Sequence, residues 1–492
     1  MAETQATNDA PVDRKRKVPL RTKLLFASGG MQEATIGAAG IVTVLFYNQV
    51  LGVSPALAGT AFLIASIVDA VSDPLIGALS DRARSRWGRR HPFMFASALP
   101  IGIAFYLLYQ PMEGLSEMGY FIWLTTFLVL LRLAQTFYLI PHDALGAELT
   151  DDYEERSSIF GYNAVAHMLL ALLAAGVLYA LIFPSTPHYD NGFLDEGRYI
   201  ILAAVGSVTI VLSVLVCAFG TLDQLPYMHD VDISKKFNVR NYMGQLLELL
   251  KNRSYLSACL SLLTMYAGLG ILGVVATYAY TYVYELSTEQ QFWAGVAKMP
   301  GVLIAIPLLA LLSKFMEKKA ILIMSTLITC VMISLPHNLR MLDLFPANDS
   351  PIILFALFVP LLLGYLIFPV SAIIIDSQLV DVADEHELKT RERSEGVIFS
   401  VRSFGIKATS GVGGFLAGFG LEFIGFPENA VVGNLALETQ TGLLFLNGPL
   451  YLIIYLLAAA FMTLYAIDKK KHAAILAELE SRRAESEVNT AN

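Results

Sequence analysis

Charge is scarce in this chain. Only 15% of its 492 residues are Asp, Glu, Lys or Arg, against 55% apolar letters, where a soluble domain carries about 25% charge; a water-soluble globule is excluded and a membrane protein expected. Cysteine is scarcer still. Cys217, Cys259 and Cys330 all fall in apolar segments, so neither a disulfide framework nor a metal spacing is readable and redox chemistry is not indicated. The net charge of −8 is spread over loops and tails and forms no basic face, which argues against nucleic acid as a partner. No Ser-His-Asp set, metal-ligand cluster or phosphate-cradling glycine loop lies at a plausible depth, so an enzyme is not expected and no cofactor beyond a coupling ion is implied.

What the chain does have is long apolar runs. At about 20 residues per crossing, spans are expected near 22–50, 55–80, 92–111, 119–141, 160–183 and 198–219, then near 254–284, 290–313, 319–336, 351–377, 396–424 and 441–467. This predicts an all-α membrane protein of twelve helices in two pseudo-symmetric six-helix bundles. The divisions are a cytoplasmic N-terminal tail (1–21), a first bundle (22–219), a cytoplasmic linker (220–253), a second bundle (254–467) and a cytoplasmic C-terminal tail (468–492). With both termini inside, 28 of the 34 lysines and arginines fall on the cytoplasmic side, and Arg340 alone lies in a loop of the other. That excess satisfies the positive-inside rule for an even number of spans in the plasma (inner) membrane. Six plus six spans with a long link is the plan of carriers that rock around a midplane site. Within the linker, 242–250 has apolar residues at helical spacing and is expected along the cytoplasmic face; the C-terminal tail shows no apolar stripe and is expected to be a solvated helix or disordered.

Five ionisable positions stand where lipid should be: Glu33, Asp69, Asp73, Arg132 and Lys407. Asp69 and Asp73, four residues apart, share a helix face, and a rise of about 1.5 Å per residue puts them roughly 21 to 27 Å into their span, level with Thr136 on another. Two carboxylates and a hydroxyl make an all-oxygen site suited to Na+ or a shared proton. Glu33 and Lys407 each lie roughly 16 Å from the cytoplasmic boundary; Lys407 shares a face with Ser400, Ser403, Gly411 and Gly414, and Arg132 one with Thr136. If all five ionise, three negative charges stand against two positive, and one cation or proton restores balance, which is a basis for coupling. His167 on its apolar helix reads as a packing residue, and Lys298 as a residue that snorkels. Gly268, Gly270, Gly273, Gly411, Gly414 and Gly418 read as sites of close helix approach. Asp81 beside five arginines suggests an ion-paired cytoplasmic latch.

The stretch from Asp69 to Phe93, DAVSDPLIGALSDRARSRWGRRHPF, resembles the signature of the glycoside-pentoside-hexuronide:cation symporters, the melibiose permease-like family of the major facilitator superfamily. Residues 381–414, DVADEHELKTRERSEGVIFSVRSFGIKATSGVGG, are similar to the same family's cytoplasmic loop and eleventh helix; IPHDALGAELTDDYEERS and KNRSY also fit, and the resemblance spans the chain. It implies a Na+- or H+-coupled symporter working by alternating access, with a monomer as the functional unit and a small-molecule substrate, a monovalent cation and the bilayer as partners. It implies cation binding by Asp69, Asp73 and Thr136, with Lys407 beside them and Glu33 at a sugar-binding position; Ser72 is a further candidate at the cation site, Lys407, Arg132 and Ser403 are candidates at the substrate site, and Asp81, Arg82, Arg86, Arg89, Asp384, Arg393 and Glu395 are expected at a cytoplasmic gate. Ser72 stands where melibiose permease has asparagine, Leu139 and Ala164 where it has sugar-contacting aspartate and arginine, and Asp143 where it has tryptophan. The expected substrate is a sugar, glycoside or sugar acid. Animal lysophospholipid carriers resemble the same family and keep the acid pair and the lysine, so a lysolipid or other amphiphile is the alternative, and a non-transporting sensor of the same fold a second one.

Overall fold

The structure is a computed structural model and describes residues 16–227, 244, 246–390 and 395–491. Helices follow one another without a strand among the described residues: α1 (Leu20–Ser28), α2 (Gly30–Leu45), α3 (Pro55–Arg82), α4 (His91–Leu108), α5 (Glu117–Glu148), α6 (Tyr153–Val177) and α7 (Tyr199–Gly220), then α8 (Arg253–Tyr282), α9 (Thr288–Leu312), α10 (Lys318–Met341), α11 (Ile353–Thr390), α12 (Glu395–Phe423), α13 (Leu437–Asn447), α14 (Pro449–Thr463) and α15 (Lys469–Ala491). Among those residues nine stretches, three of them joining neighbouring elements, are long and apolar enough to cross a bilayer, and α9, bent by 42°, makes a tenth. Pro300 and Pro307 inside α9 account for its bend, since proline removes a helical donor and clashes with the preceding turn. The other two spans are interrupted: α1 and α2 break at Gly29, and the apolar part of α12 is Gly411–Phe423.

Polar residues start the helices. Ser116 accepts the Gly119 N–H, Asp152 that of Glu155, and Asn252 those of Ser254 and Tyr255, each satisfying donors that a helix end leaves open. Ser287 and Gln290 form a reciprocal capping box on α9.

Contacts divide the chain into two compact units. The first holds residues 1–40, 67–182 and 195–237, the second 41–66, 183–194 and 238–492. The segments 41–66 and 183–194 group by contact with helices of the second half. The reason is a set of buried polar contacts inside the second unit. Tyr278 donates to Asn48 at 3.1 Å and Tyr282 to Gln49 at 3.0 Å, while Gln49 donates to the Pro427 carbonyl and accepts from the Ala430 N–H. Asn191 likewise donates to Thr281 at 2.9 Å.

Helix approach in that unit is close at the predicted glycines. A Cβ on Gly270 would lie 1.9 Å from the Thr409 carbonyl oxygen, and Gly268, Gly411, Gly414 and Gly418 also abut neighbours. Gly273 does not: nothing lies within 4 Å of its Cβ position.

The C-terminal tail departs from expectation. It is helical, and Ile475 and Leu479, each 5% exposed, pack with Leu249, Tyr255, Leu379, Val382, Ile398 and Tyr465. Two apolar residues four apart are one helical stripe, short enough to be lost among the surrounding charges. Leu249, fully buried in this cluster, fastens the end of the linker to the same surface.

Candidate cation and substrate site

All the groups of the first site lie in the first unit. On α3, Asp69 is 6% exposed, Ser72 is 7% exposed and Asp73 is half-buried; Thr136, on α5, is 2% exposed. The Thr136 Oγ1 lies 2.9 Å from Asp69 Oδ1, 3.1 Å from Asp73 Oδ1 and 3.1 Å from the Arg132 carbonyl oxygen. A hydroxyl has one proton and can donate to only one of three acceptors. Two carboxylate oxygens thus converge on one hydroxyl, an all-oxygen arrangement that a monovalent cation or a further proton fits. The Ser72 hydroxyl donates to the Asp69 backbone carbonyl at 3.1 Å. Pro74, inside α3 directly after Asp73, cannot donate to the carbonyl four residues back.

A cavity of ≈ 100 Å³ opens in the same unit, lined by Gly29, Gly30, Glu33, Tyr138, Leu139, His142, Asp143, Asn163 and His167. Glu33 is half exposed and 3.8 Å from His167. His167 is thus a cavity residue, not a packing residue, because α6 turns its imidazole toward α2. His142 stacks on Phe26 with ring centroids 4.2 Å apart; its Nε2 faces the Phe26 carbonyl oxygen at 3.1 Å and its Nδ1 faces Asp143 Oδ1 at 3.3 Å. Both ring nitrogens meet acceptors, an arrangement that the imidazolium, a donor at each nitrogen, satisfies fully. His142, Asn163 and Tyr138 were not anticipated; the signal for Tyr138 and His142 was their helical spacing beyond Thr136, and Asn163, on α6, had no such signal. Lys407, with Ser403, lies on α12 in the second unit.

A family model described as MFS/sugar transport protein matches residues 25–469. The chain belongs to that family. It is similar to the isoprimeverose transporter of Lactiplantibacillus pentosus, 23% identical over 482 residues that cover 98% of this chain and 95% of that one. It is also similar to the sodium-dependent lysophosphatidylcholine symporter 1-A of Danio rerio, 24% identical over 499 residues covering 93% and 88%. In three dimensions it matches a mutant of the nucleoside transporter NupG with a TM-score of 0.63 and 15% identity, over 90% of this chain and 100% of that one, which speaks to the fold alone. The protein is therefore a multi-pass transporter of the major facilitator fold, and not an enzyme.

Two further charge clusters mark the polar ends of this transporter's helices. In the first unit, Arg90 pairs with Asp81 at 2.6 Å and with Glu148 at 2.8 Å, Arg89 also reaches Glu148 at 2.8 Å, and Arg90 donates to Ser80. The hub is Arg90 with Glu148, neither of which the sequence singled out. Arg82 and Arg86 are exposed, and Arg86 lies over the Trp87 ring. In the second unit, Asp384 meets His472 at 3.1 Å, beside Asp381 with Lys318 at 2.7 Å and Glu385 with Lys471 at 2.6 Å. Tyr465 donates to Asp381; its phenol pKa is raised, by burial first and by that carboxylate second. Arg393 lies outside the described residues, and Glu395 opens α12. Lys298 does more than snorkel: its Nζ lies 5.1 Å over the Tyr365 ring.

Proposed function

We propose that this protein is a Na+- or H+-coupled symporter for a neutral sugar or glycoside, with both termini cytoplasmic, in the plasma membrane. The observation that carries the reading is the single Thr136 hydroxyl set between the carboxylates of Asp69 and Asp73. Two acids, one buried and one half-buried, that converge on one donor proton hold a monovalent cation or a further proton readily, and their neutralisation changes the charge of the loaded carrier. The distribution of lysines and arginines supports the orientation.

The cavity's lining supports the substrate class. Glu33, Asp143, Asn163 and His167 offer the hydrogen-bonding groups that hydroxyls need, and among the described residues no lysine or arginine lines the space. Glu33 and Asp143 stand in this lining against one imidazolium at His142, so a substrate carboxylate meets a wall of net negative charge. That weighs against sugar acids. An amphiphile is supported by the name of the Danio rerio relative, but Leu139 is the one aliphatic side chain of this lining, a poor match for an acyl chain.

The test is uptake into proteoliposomes of a panel of neutral glycosides, uronates and lysophosphatidylcholine, with an inward Na+ gradient, an inward proton gradient or neither. Gradient-driven entry of a neutral glycoside that disappears in Asp69→Asn and Asp73→Asn supports the reading. Uptake indifferent to both gradients and to both substitutions sinks it. Saturable ligand binding with no flux identifies a sensor.

A further inference from the structure

One imidazole links the last turn of α1 to the cavity wall. His142, on α5 and 4% exposed, lies between two rings, stacked on Phe26 with centroids 4.2 Å apart and on Tyr138 with centroids 5.2 Å apart. The stack fixes its orientation. In that orientation Nε2 meets the Phe26 carbonyl at 3.1 Å and Nδ1 meets Asp143 Oδ1 at 3.3 Å. Both partners accept. The Phe26 carbonyl already receives the Gly29 N–H at 3.2 Å and the Cys217 thiol at 3.5 Å, and an ionised carboxylate has no proton to give. A neutral imidazole would set one lone pair against an acceptor. Between ring and carboxylate the proton stays on the imidazole, the stronger base. The Asp143 side chain is 70% exposed, and among the described residues no other side chain bonds its carboxylate. The other titratable groups about the cavity and the stack are Glu33 on α2 and His167 on α6, 3.8 Å from each other, Tyr138 on α5 and Cys217 on α7.

We infer that His142 is an imidazolium and the positioning residue of the cavity: it holds Asp143 by Oδ1, so that the carboxylate is presented as a fixed, acceptor-only contact for a hydroxyl of the solute. The inference rests on the reading of this cavity as the solute site. A hydrogen bond between a cation and a carboxylate is roughly twice as strong as a neutral one, and the ring stack removes the rotation that would loosen it. Asp143 is then the specificity-determining contact on α5. Ionised, it demands a free hydroxyl of the solute and turns away an analogue in which that oxygen is methylated or missing. The other donor of the same imidazolium keeps the Phe26 carbonyl tied to α5.

Two measurements on the full chain test it, and the first needs no solute. The ring nitrogens of isotope-labelled histidine are read by NMR at about pH 7.5, where an ordinary imidazole is mostly neutral, and the His142 signal is assigned by its loss in His142→Gln. Wild type is expected to show both nitrogens protonated. Asp143→Asn, whose amide can turn an N–H toward a neutral Nδ1, is expected to leave one nitrogen bare. A singly protonated His142 in wild type, or an imidazolium that persists unchanged in Asp143→Asn, overturns the inference. The second measurement is uptake of a neutral glycoside and of its singly O-methylated and deoxy analogues. Asp143→Asn and His142→Gln are each expected to raise the half-saturating glycoside concentration about tenfold or more, the usual effect of losing a hydrogen bond to a charged group. The maximal rate is expected to fall less, and the preference over the poorest analogue to narrow. Unchanged half-saturation in both variants overturns Asp143 as the contact. A wild type that admits no glycoside sinks the reading of the cavity, and the NMR result then decides the His142–Asp143 clamp by itself.

Discussion

Thr136 joins α5 to α3 through one hydrogen bond of 2.9 Å to Asp69, and the same oxygen lies 3.1 Å from Asp73. Thr136→Val keeps the shape and removes the hydroxyl, taking from Asp69 and Asp73 the donor on which they converge. The loss of a hydrogen bond to a charged group corresponds to about 1.5–3 kcal/mol, so the ion concentration for half-maximal uptake is expected to rise about tenfold or more, with Thr136→Ser close to wild type. Ion-titrated uptake measures it; equal ion dependence in all three proteins contradicts it.

The Arg90–Glu148 pair predicts a contrast within one loop. Arg90 is 6% exposed at its side chain and meets two acids, whereas Arg82 is exposed. Truncating one partner of a buried pair leaves an uncompensated charge at a cost of about 3–5 kcal/mol. Arg90→Ala is expected to lower the unfolding temperature in detergent markedly, and Arg82→Ala to change it little. Equal shifts contradict the assignment of Arg90 as the hub.

The acid pair was legible because helical arithmetic puts residues 69, 73 and 136 at one depth, and a four-residue step fixes the shared face. The hub was not, because five arginines within nine positions are alike in composition, and only the packing of α4 against α5 selects Arg90 for Glu148. His167 was misjudged for a similar reason: its role depends on the rotation of α6 relative to Glu33 on α2. The grouping of 41–66 with the second unit rests on contacts more than two hundred residues apart, such as Asn48 with Tyr278, which no local pattern encodes.

The last helix predicts a second contrast. Ile475 is 5% exposed within the cluster and Leu476, its neighbour, is 40% exposed. Ile475→Ala is expected to destabilise the protein by about 2–4 kcal/mol and Leu476→Ala by about 0.5 kcal/mol or less. Thermal unfolding of the two variants measures the difference, and matching values contradict the docking of this helix.

Glycine spacing gives a third. Gly270→Ala drives a methyl to 1.9 Å from the Thr409 carbonyl oxygen, while Gly273→Ala enters open space. The first is expected to reduce the yield of folded transporter severalfold and the second to leave it unchanged, read by fluorescence-detected size exclusion. Equal yields contradict the close packing of α8 on α12.

Direct ion binding to the purified transporter bears most closely on the whole account. Calorimetric Na+ titration, with proton uptake on acidification followed in Na+-free buffer, is predicted to reveal one saturable ion in the wild type and none in Asp69→Asn/Asp73→Asn. A double variant that binds the same ion with wild-type affinity contradicts the acid pair as the seat of coupling.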